Sequence, residues 1–213
     1  LLALGPPRHV RELTLAHRAL IFSAERELYV EAQFFRSRRA AGWIAEAARR
    51  NPRLELIMVM PQAPDEVAFE GQGANPAHRH GEWLQAKAVS RVKRKLGDRA
   101  GLFALGRKAA LTEEERALVG DGATAFGAGR IYVHSKLLIA DGARALVSSA
   151  NINGRSFGWD SELGLLWEDA EAVGGLRARL WGQLLEQPCE ALPAPGGALA
   201  LWRTQAEANL ALA

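Results

Sequence analysis

The stretch VHSKLLIADGARALVSSANINGRS, residues 133–156, places polar residues at both ends of an apolar hairpin. The dipeptide Asp141-Gly142 between its two apolar runs is typical of a hairpin turn. Alternate residues of a strand share a face, so we expect His134 and Lys136 to point in the same direction. Burying a lysine beside a histidine is costly without an anion, so this end of the hairpin predicts an anion-binding site.

The second run ends in Ser149 and Asn151, which also share a face if the strand continues through them. They lie about as far from the turn as His134 and Lys136, so we expect all four side chains to meet at one open edge of a sheet. The ammonium would supply charge for phosphate oxygens, and the hydroxyl and carboxamide would supply directed hydrogen bonds. An imidazole can attack phosphorus or protonate a leaving oxygen, so the set predicts a phosphodiester site.

Two carboxylates close to this set have different expected roles. A catalytic imidazole needs a partner that fixes its tautomer, and Glu162, at the start of the next predicted strand, could reach His134. Asp160, two residues earlier, competes for that role. Asp141 has the other parity along its strand, so we expect it to act mainly within the turn, through an Asx-type hydrogen bond.

The pattern of the remaining chain predicts an α/β fold with a mixed β-sheet flanked by α-helices on both faces. Predicted helices cover 10–25, 38–50 with Ser37 as N-cap, 81–97, 169–186 and a segment after the PAPGGA break; predicted strands cover 27–35, 54–61, 101–106, 131–141, 143–150 and 162–169. The order from 27 to 61 indicates a βαβ unit with a right-handed crossover. Residues 62–81 are predicted as a long loop, and residues 107–129 as an irregular insertion with one helical turn.

The chain of 213 residues, with 48% hydrophobic and 24% charged residues, is expected to form one globular domain over 1–213. A net charge of +3 favours anionic partners mildly and weighs against strong nucleic-acid binding. The single cysteine, Cys189, excludes an intramolecular disulfide, and no apolar run approaches the length of a membrane span. The HRH histidines at 78–80 lack carboxylate or cysteine ligands at metal spacing, so no metal or other cofactor is expected.

The pattern His-x-Lys-x4-Asp from His134 to Asp141, followed by Ser149-x-Asn151, resembles the HKD motif of the phospholipase D superfamily. The wider string to Glu162 resembles the C-terminal HKD motif of phosphatidyl-hydrolysing members, with Ser148 where the family usually has Gly. Upstream, LYVEAQFF at 28–35 resembles the family strand YIENQYF. The helical segment at 80–96 resembles the helix that precedes the second motif.

This resemblance implies an α-β-α sandwich and metal-free phosphoryl transfer through a phosphohistidine. The implied catalytic set is His134 as general acid and base, Lys136 and Asn151 as phosphate ligands, Ser149 as their support, Asp141 of the motif, and Glu162 as the residue that orients His134. Gln33 is a candidate substrate-binding residue, with bracing of the sheet as the alternative. Glu31 is expected to be structural.

One site of this type needs two HKD motifs, and the chain contains one, because His9, His17, His78 and His80 lack the rest of the pattern. The second HKD half could be an N-terminal domain of the same protein, which the upstream resemblance favours and which fits a start without methionine or signal peptide. Alternatively it could be a second protomer.

The expected function is a C-terminal catalytic domain that hydrolyses or transfers the phosphatidyl group of phospholipids. One alternative is a phosphodiesterase acting on nucleic acid as a single-motif homodimer. The other is an inactive half-domain that binds lipid or protein. The basic run RVKRK at 91–95 is expected to be the exposed face of a helix, and Trp83 and Trp159 leave open a peripheral contact with a membrane.

Overall fold

The computed structural model describes residues 11–62, 76–110, 112–119, 124–125 and 128–210. The helices are α1 Glu12–Ser23, α2 Arg38–Arg50, α3 Pro76–Leu96, α4 Glu113–Val119, α5 Ala170–Leu185 and α6 Ala198–Leu210. The strands are β1 Glu27–Ala32, β2 Glu55–Val59, β3 Ala100–Phe103, β4 Leu105–Ala110, β5 Thr124–Ala125, β6 Ala128–Ile131, β7 Lys136–Ala140, β8 Arg144–Ser148 and β9 Gly164–Trp167.

The main sheet has six strands in the order β3-β2-β1-β7-β8-β9. Its first three strands are parallel, and β7, β8 and β9 form an antiparallel meander that pairs with β1 through β7. The predicted mixed sheet is thereby confirmed. The parallel pairing of β1 and β2 around α2 is the predicted βαβ unit.

Helices cover both faces of this sheet, as predicted, because alternate residues of the central strands are apolar on both sides. Leu28 and Val30 of β1 lie in a core that includes residues of α1, α2 and α3. Tyr29, between them, lies in a second core with residues of α5 and α6, including Trp181 and Trp202. Each core residue of β1 is almost completely inaccessible to solvent.

Local signals fix several element boundaries. The hydroxyl of Ser37 accepts the amide hydrogen of Ala40 at 3.2 Å, so Ser37 caps α2 as predicted. Asp141 and Gly142 both have positive φ, 51° and 63°, which the turn between β7 and β8 requires. The loop has three residues, 141–143, because Ala140 pairs with Arg144.

The structure differs from the predicted elements in four places. The helix α3 begins at Pro76, inside the predicted loop, since proline is tolerated in a first helical turn; the rest of that loop, 63–75, lies outside the described residues. The predicted strand at 101–106 divides into β3 and β4, which belong to different sheets. The predicted irregular insertion contains α4 and strands of a small sheet in the order β4-β6-β5.

The predicted strand over 131–141 is also interrupted. Residue Ile131 ends β6, and β7 begins only at Lys136, so residues 132–135 connect the two sheets. His134 therefore lies just before the strand that was expected to carry it. None of the described helices combines the length and the apolar character that crossing a bilayer requires.

Candidate active site

The ammonium of Lys136 lies at the start of β7, in the middle of the main sheet. It is 8% exposed, and its Nζ donates to Oε1 of Gln33 at 3.0 Å and to the backbone carbonyl of His134 at 2.6 Å. Both of these acceptors are neutral. An ammonium at this position is a hydrogen-bond donor of the kind that binds anions.

Asn151 shares the same acceptor. Its Nδ2 donates to Oε1 of Gln33 at 3.3 Å, and its backbone amide donates to Oγ of Ser156 at 3.1 Å. Its Oδ1 is buried and has no hydrogen-bond partner among the described residues. Gln33, Lys136 and Asn151 thus form one cluster at the ends of β1, β7 and β8.

This convergence has a different cause from the one that strand alternation predicts. Leu137 lies opposite Val147, so a regular hairpin would turn Lys136 and Ser149 to opposite faces. β8 ends at Ser148, however, and Asn151 lies beyond the strand, where alternation no longer fixes the direction of a side chain. The polar residues meet because the strands end there.

Ser149 and Glu162 form a second contact. The hydroxyl of Ser149 donates to the carboxylate of Glu162 and accepts the amide hydrogen of Leu163 at 3.0 Å. The backbone amide of Ser149 donates to the carbonyl of Leu163 at 2.9 Å. No hydrogen bond joins Glu162 to His134 in the described structure, so the orienting role of Glu162 stays a prediction.

His134 is exposed, and its ring makes no hydrogen bond with another described residue. Its contribution to the cluster is the backbone carbonyl that accepts from Lys136. The exposed ring is therefore accessible from solvent.

Asp141 lies at the other end of β7, about 17 Å away along the strand from the rise per residue. Its carboxylate accepts three backbone amides, from Glu25 at 2.8 Å, Arg26 at 2.9 Å and Glu27 at 2.8 Å. These bonds tie the hairpin to the start of β1, whereas a local Asx-type bond was expected. The structure thus separates Asp141 from the other residues of the predicted site.

Sequence reasoning missed three supporting residues, Tyr29, Tyr132 and Ser135. The carboxylate of Glu31 accepts the phenol of Tyr29 at 2.6 Å and also the hydroxyl of Ser135. Burial, and secondly the charge of Glu31, raise the pKa of Tyr29, so the phenol stays a donor. Nε2 of Gln33 donates to the hydroxyl of Tyr132 at 3.2 Å. The available sequence signal was the spacing of two residues between Tyr29 and Glu31, which places both side chains on one face of β1.

The segment that carries Asn151 to Glu162 rests on α1. Thr14 donates its hydroxyl hydrogen to the carbonyl of Phe157 at 3.1 Å. The ring of His17 packs edge-on against Phe157, with ring centroids 5.0 Å apart, and its Nδ1 lies 2.7 Å from the carbonyl of Leu13. Burial lowers the pKa of His17, although its contact with the Leu13 carbonyl acts in the opposite direction.

The sequence is similar to a known family and to several known proteins. Residues 18–182 match the family model described as cardiolipin synthase, PLD-like domain. The chain is 30% identical over 189 residues to phospholipase D zeta 1 of Arabidopsis thaliana, covering 74% of this chain and 16% of that protein. It is 29% identical over 192 residues to phospholipase D1 of Mus musculus, covering 79% and 17%. The chain thus spans less than a fifth of these relatives.

Two solved structures share the fold. Phosphatidylserine synthase of Haemophilus influenzae Rd KW20 aligns with a TM-score of 0.56 and 17% identity, over 99% of this chain and 46% of that chain. NucT from Helicobacter pylori aligns with a TM-score of 0.52 and 17% identity, over 86% and 94%. The match of residues 18–182 to the family model, with the phospholipase D relatives, establishes that the chain belongs to the phospholipase D superfamily.

Proposed function

We propose that this chain is a catalytic domain of a phosphodiesterase that hydrolyses or transfers the phosphatidyl group of phospholipids. The observation that carries the proposal is the position of the Lys136 ammonium, which is buried and hydrogen-bonded to Gln33 and to the backbone carbonyl of the exposed His134. A phosphodiester brings one negative charge to that ammonium and offers its phosphorus to an imidazole. Phospholipase relatives at about 30% identity favour a lipid over a nucleic acid as the source of the phosphodiester.

The proposed reaction has two steps and uses two imidazoles. A nitrogen of one histidine bonds to phosphorus while the bond to the headgroup oxygen breaks, and the other histidine gives that oxygen a proton. The second histidine then takes a proton from water or an alcohol, whose oxygen attacks phosphorus and releases the first histidine. By family analogy His134 is the acid and base, and Lys136 and Asn151 hold the phosphate oxygens.

The second histidine is proposed to come from another HKD half, which docks at the apolar edge formed by Val147, Leu163 and Leu165. These residues are 43%, 82% and 53% exposed, and Val147 pairs with Leu165. β9 is the outer strand of the main sheet, and Leu163 is hydrogen-bonded to Ser149, so the apolar edge adjoins the site. A group of exposed apolar side chains beside a site is typical of a protein interface.

We propose that this edge binds a second HKD domain and not lipid. The unpaired backbone groups of an outer strand are costly in a hydrocarbon layer but can be satisfied by a protein partner. This chain spans 46% of the phosphatidylserine synthase structure, so more than half of that chain lies outside the match and leaves room for a second half. A second copy of this chain is the alternative outcome of the test.

The test compares release of headgroup from phosphatidylcholine vesicles with cleavage of single-stranded DNA, over a range of chain concentrations and with the proposed second HKD half supplied on the same polypeptide. Wild type, His134→Ala and the matched control His80→Ala, an exposed histidine of α3, are compared. Headgroup release that only His134→Ala abolishes supports the proposal. Cleavage confined to DNA would favour a nuclease, and vesicle binding without turnover at any concentration would favour a binding domain; both results would overturn the proposal.

A further inference from the structure

We propose that Gln33 is a positioning residue that fixes the Lys136 ammonium and the Asn151 carboxamide relative to each other. The predicted effect of Gln33 on catalysis rests on the proposed function, whereas its predicted effect on the position of the Lys136 ammonium does not. The expected role of Gln33 from sequence was direct substrate binding or bracing of the sheet. The contacts of its carboxamide favour a third role.

The oxygen of the Gln33 carboxamide is fully used within the protein. It accepts from Nζ of Lys136 at 3.0 Å and from Nδ2 of Asn151 at 3.3 Å. A carboxamide oxygen has two lone pairs, so these two donors occupy its accepting capacity. Nε2 donates to the hydroxyl of Tyr132 at 3.2 Å, and the residue is 8% exposed. Gln33 is thus held on both sides of its amide, and its oxygen has no capacity left for a substrate donor.

The place of Gln33 in the sheet explains why one oxygen can serve both residues. Gln33 follows β1, Lys136 begins β7 and Asn151 lies beyond β8, and these three strands are neighbours in the order β1-β7-β8. Lys136 and Asn151, the two proposed phosphate ligands, are therefore both hydrogen-bonded to one atom, the carboxamide oxygen of Gln33. Small shifts between the strands would otherwise change the spacing of the ammonium and the amide, on which phosphate binding depends.

The neutral charge of this residue has a consequence for anion binding. A glutamate at position 33 would keep the shape and both accepted hydrogen bonds but would place a negative charge 3.0 Å from the ammonium. That charge would compete with a phosphate for Lys136. Glutamine positions the ammonium without neutralising it, so the two functions can be separated by mutation.

The experiment compares Gln33→Met and Gln33→Glu with the matched control Gln85→Met. Gln85 lies on α3, and its carboxamide oxygen accepts the amide of Phe35 at 3.2 Å, two residues from Gln33. The control therefore removes a comparable hydrogen bond near the same strand end without touching Lys136 or Asn151. All variants are first compared by thermal unfolding.

The first readout is the ¹⁵N–¹H signal of the Lys136 ammonium in protein labelled at its lysines, assigned with Lys136→Met. A buried, hydrogen-bonded ammonium exchanges its protons slowly and gives a signal. We expect the signal to persist in wild type, Gln33→Glu and Gln85→Met, and to be lost in Gln33→Met. Persistence of an unshifted signal in Gln33→Met would overturn the inference, whether or not the chain cleaves any phosphodiester.

The second readout is headgroup release under the conditions of the proposed function. We expect Gln33→Met to lower kcat by roughly 100-fold, the cost of a misplaced catalytic group. In a Lys136→Met background, Gln33→Met should lower kcat less than it does in wild type, because only its effect through Asn151 remains. Gln33→Glu should weaken competitive inhibition by inorganic phosphate.

Full additivity with Lys136→Met would contradict positioning. If the wild type shows no turnover but Gln33→Met loses the ammonium signal as expected, only the proposed function is overturned.

Discussion

The hydroxyl of Ser149 donates its hydrogen to the carboxylate of Glu162, so the carboxylate that follows the HKD motif is held by a serine of the same motif. The hydroxyl also accepts from the amide of Leu163. This arrangement links the end of β8 to the segment that enters β9. It predicts that Ser149 and Glu162 act as a pair.

We expect Ser149→Ala and Glu162→Gln to be non-additive in the free energy of unfolding. Their interaction energy should be about 1 kcal/mol, because Ser149→Ala removes the bond and Glu162→Gln replaces its charged acceptor with a neutral one. The measurement is urea unfolding of the two single variants and the double variant. Asp160→Asn with Glu162→Gln serves as the control pair, since Asp160 bonds to Arg155. Simple additivity for Ser149 and Glu162 would contradict the pairing.

Asp141 is predicted to matter for stability and not for chemistry. Asp141→Asn should lower the free energy of unfolding by about 2 kcal/mol, because the charged acceptor of three backbone amides is lost. Asparagine tolerates the positive φ of 51°, so the change reports on the charge and not on backbone strain. Headgroup release by the folded fraction should stay close to that of wild type. A large loss of kcat without loss of stability would show that Asp141 takes part in the reaction.

The free energy of unfolding is predicted to decrease as the pH is lowered, because of His17. Burial holds the pKa of His17 below its ordinary value of 6.5, so the unfolded chain takes up the proton first as the pH falls. The contribution of this residue is complete above pH 6.5 and is lost as the pH drops from there toward the folded-state pKa, by up to about 1.4 kcal/mol per pH unit.

The measurement is the free energy of unfolding as a function of pH. His17→Gln should flatten the slope just below pH 6.5, whereas the exposed-residue variant His80→Gln should leave it unchanged. An unchanged slope in His17→Gln would place the pH dependence elsewhere.

Charge at the apolar edge is predicted to block completion of the site. Leu163 and Leu165 are 82% and 53% exposed, so Leu163→Asp and Leu165→Lys should leave the unfolding temperature nearly unchanged. Both should abolish headgroup release and any association with a second HKD half in sedimentation experiments. Leu210→Asp, at another exposed leucine, is the control. Self-association that these variants disrupt would identify a second copy as the partner. Full activity of a monomer carrying them would exclude the edge as the docking surface.

Local chemistry explains which parts of the fold could be predicted from sequence. The Ser37 cap, the Asp141-Gly142 turn and the strand before Gln33 all depend on neighbouring residues, and each is present. The small sheet was missed because its strands are short and rich in alanine and glycine, without apolar alternation. The break at 132–135 was missed because Tyr132 and Val133 at its start are residues typical of strands.

The contacts that define the candidate site depend on residues far apart in the chain. Glu162 bonds to Ser149, 13 residues away, and not to the expected histidine. Asp141 accepts the amides of residues 25–27, at and before the start of β1 and more than 110 positions earlier. The motif includes Lys136 and Asn151, which share the carboxamide oxygen of Gln33, but the partner of each side chain is set by where the strands end.

The most direct test of the account is the binding of inorganic phosphate, measured by isothermal titration calorimetry. This measurement does not depend on the presence of a second HKD half. The account predicts that one phosphate binds per chain and that Lys136→Met abolishes binding, while Lys93→Met, on the exposed face of α3, leaves it unchanged. Equal phosphate affinity in wild type and Lys136→Met would contradict the claim that this buried ammonium forms a phosphate site.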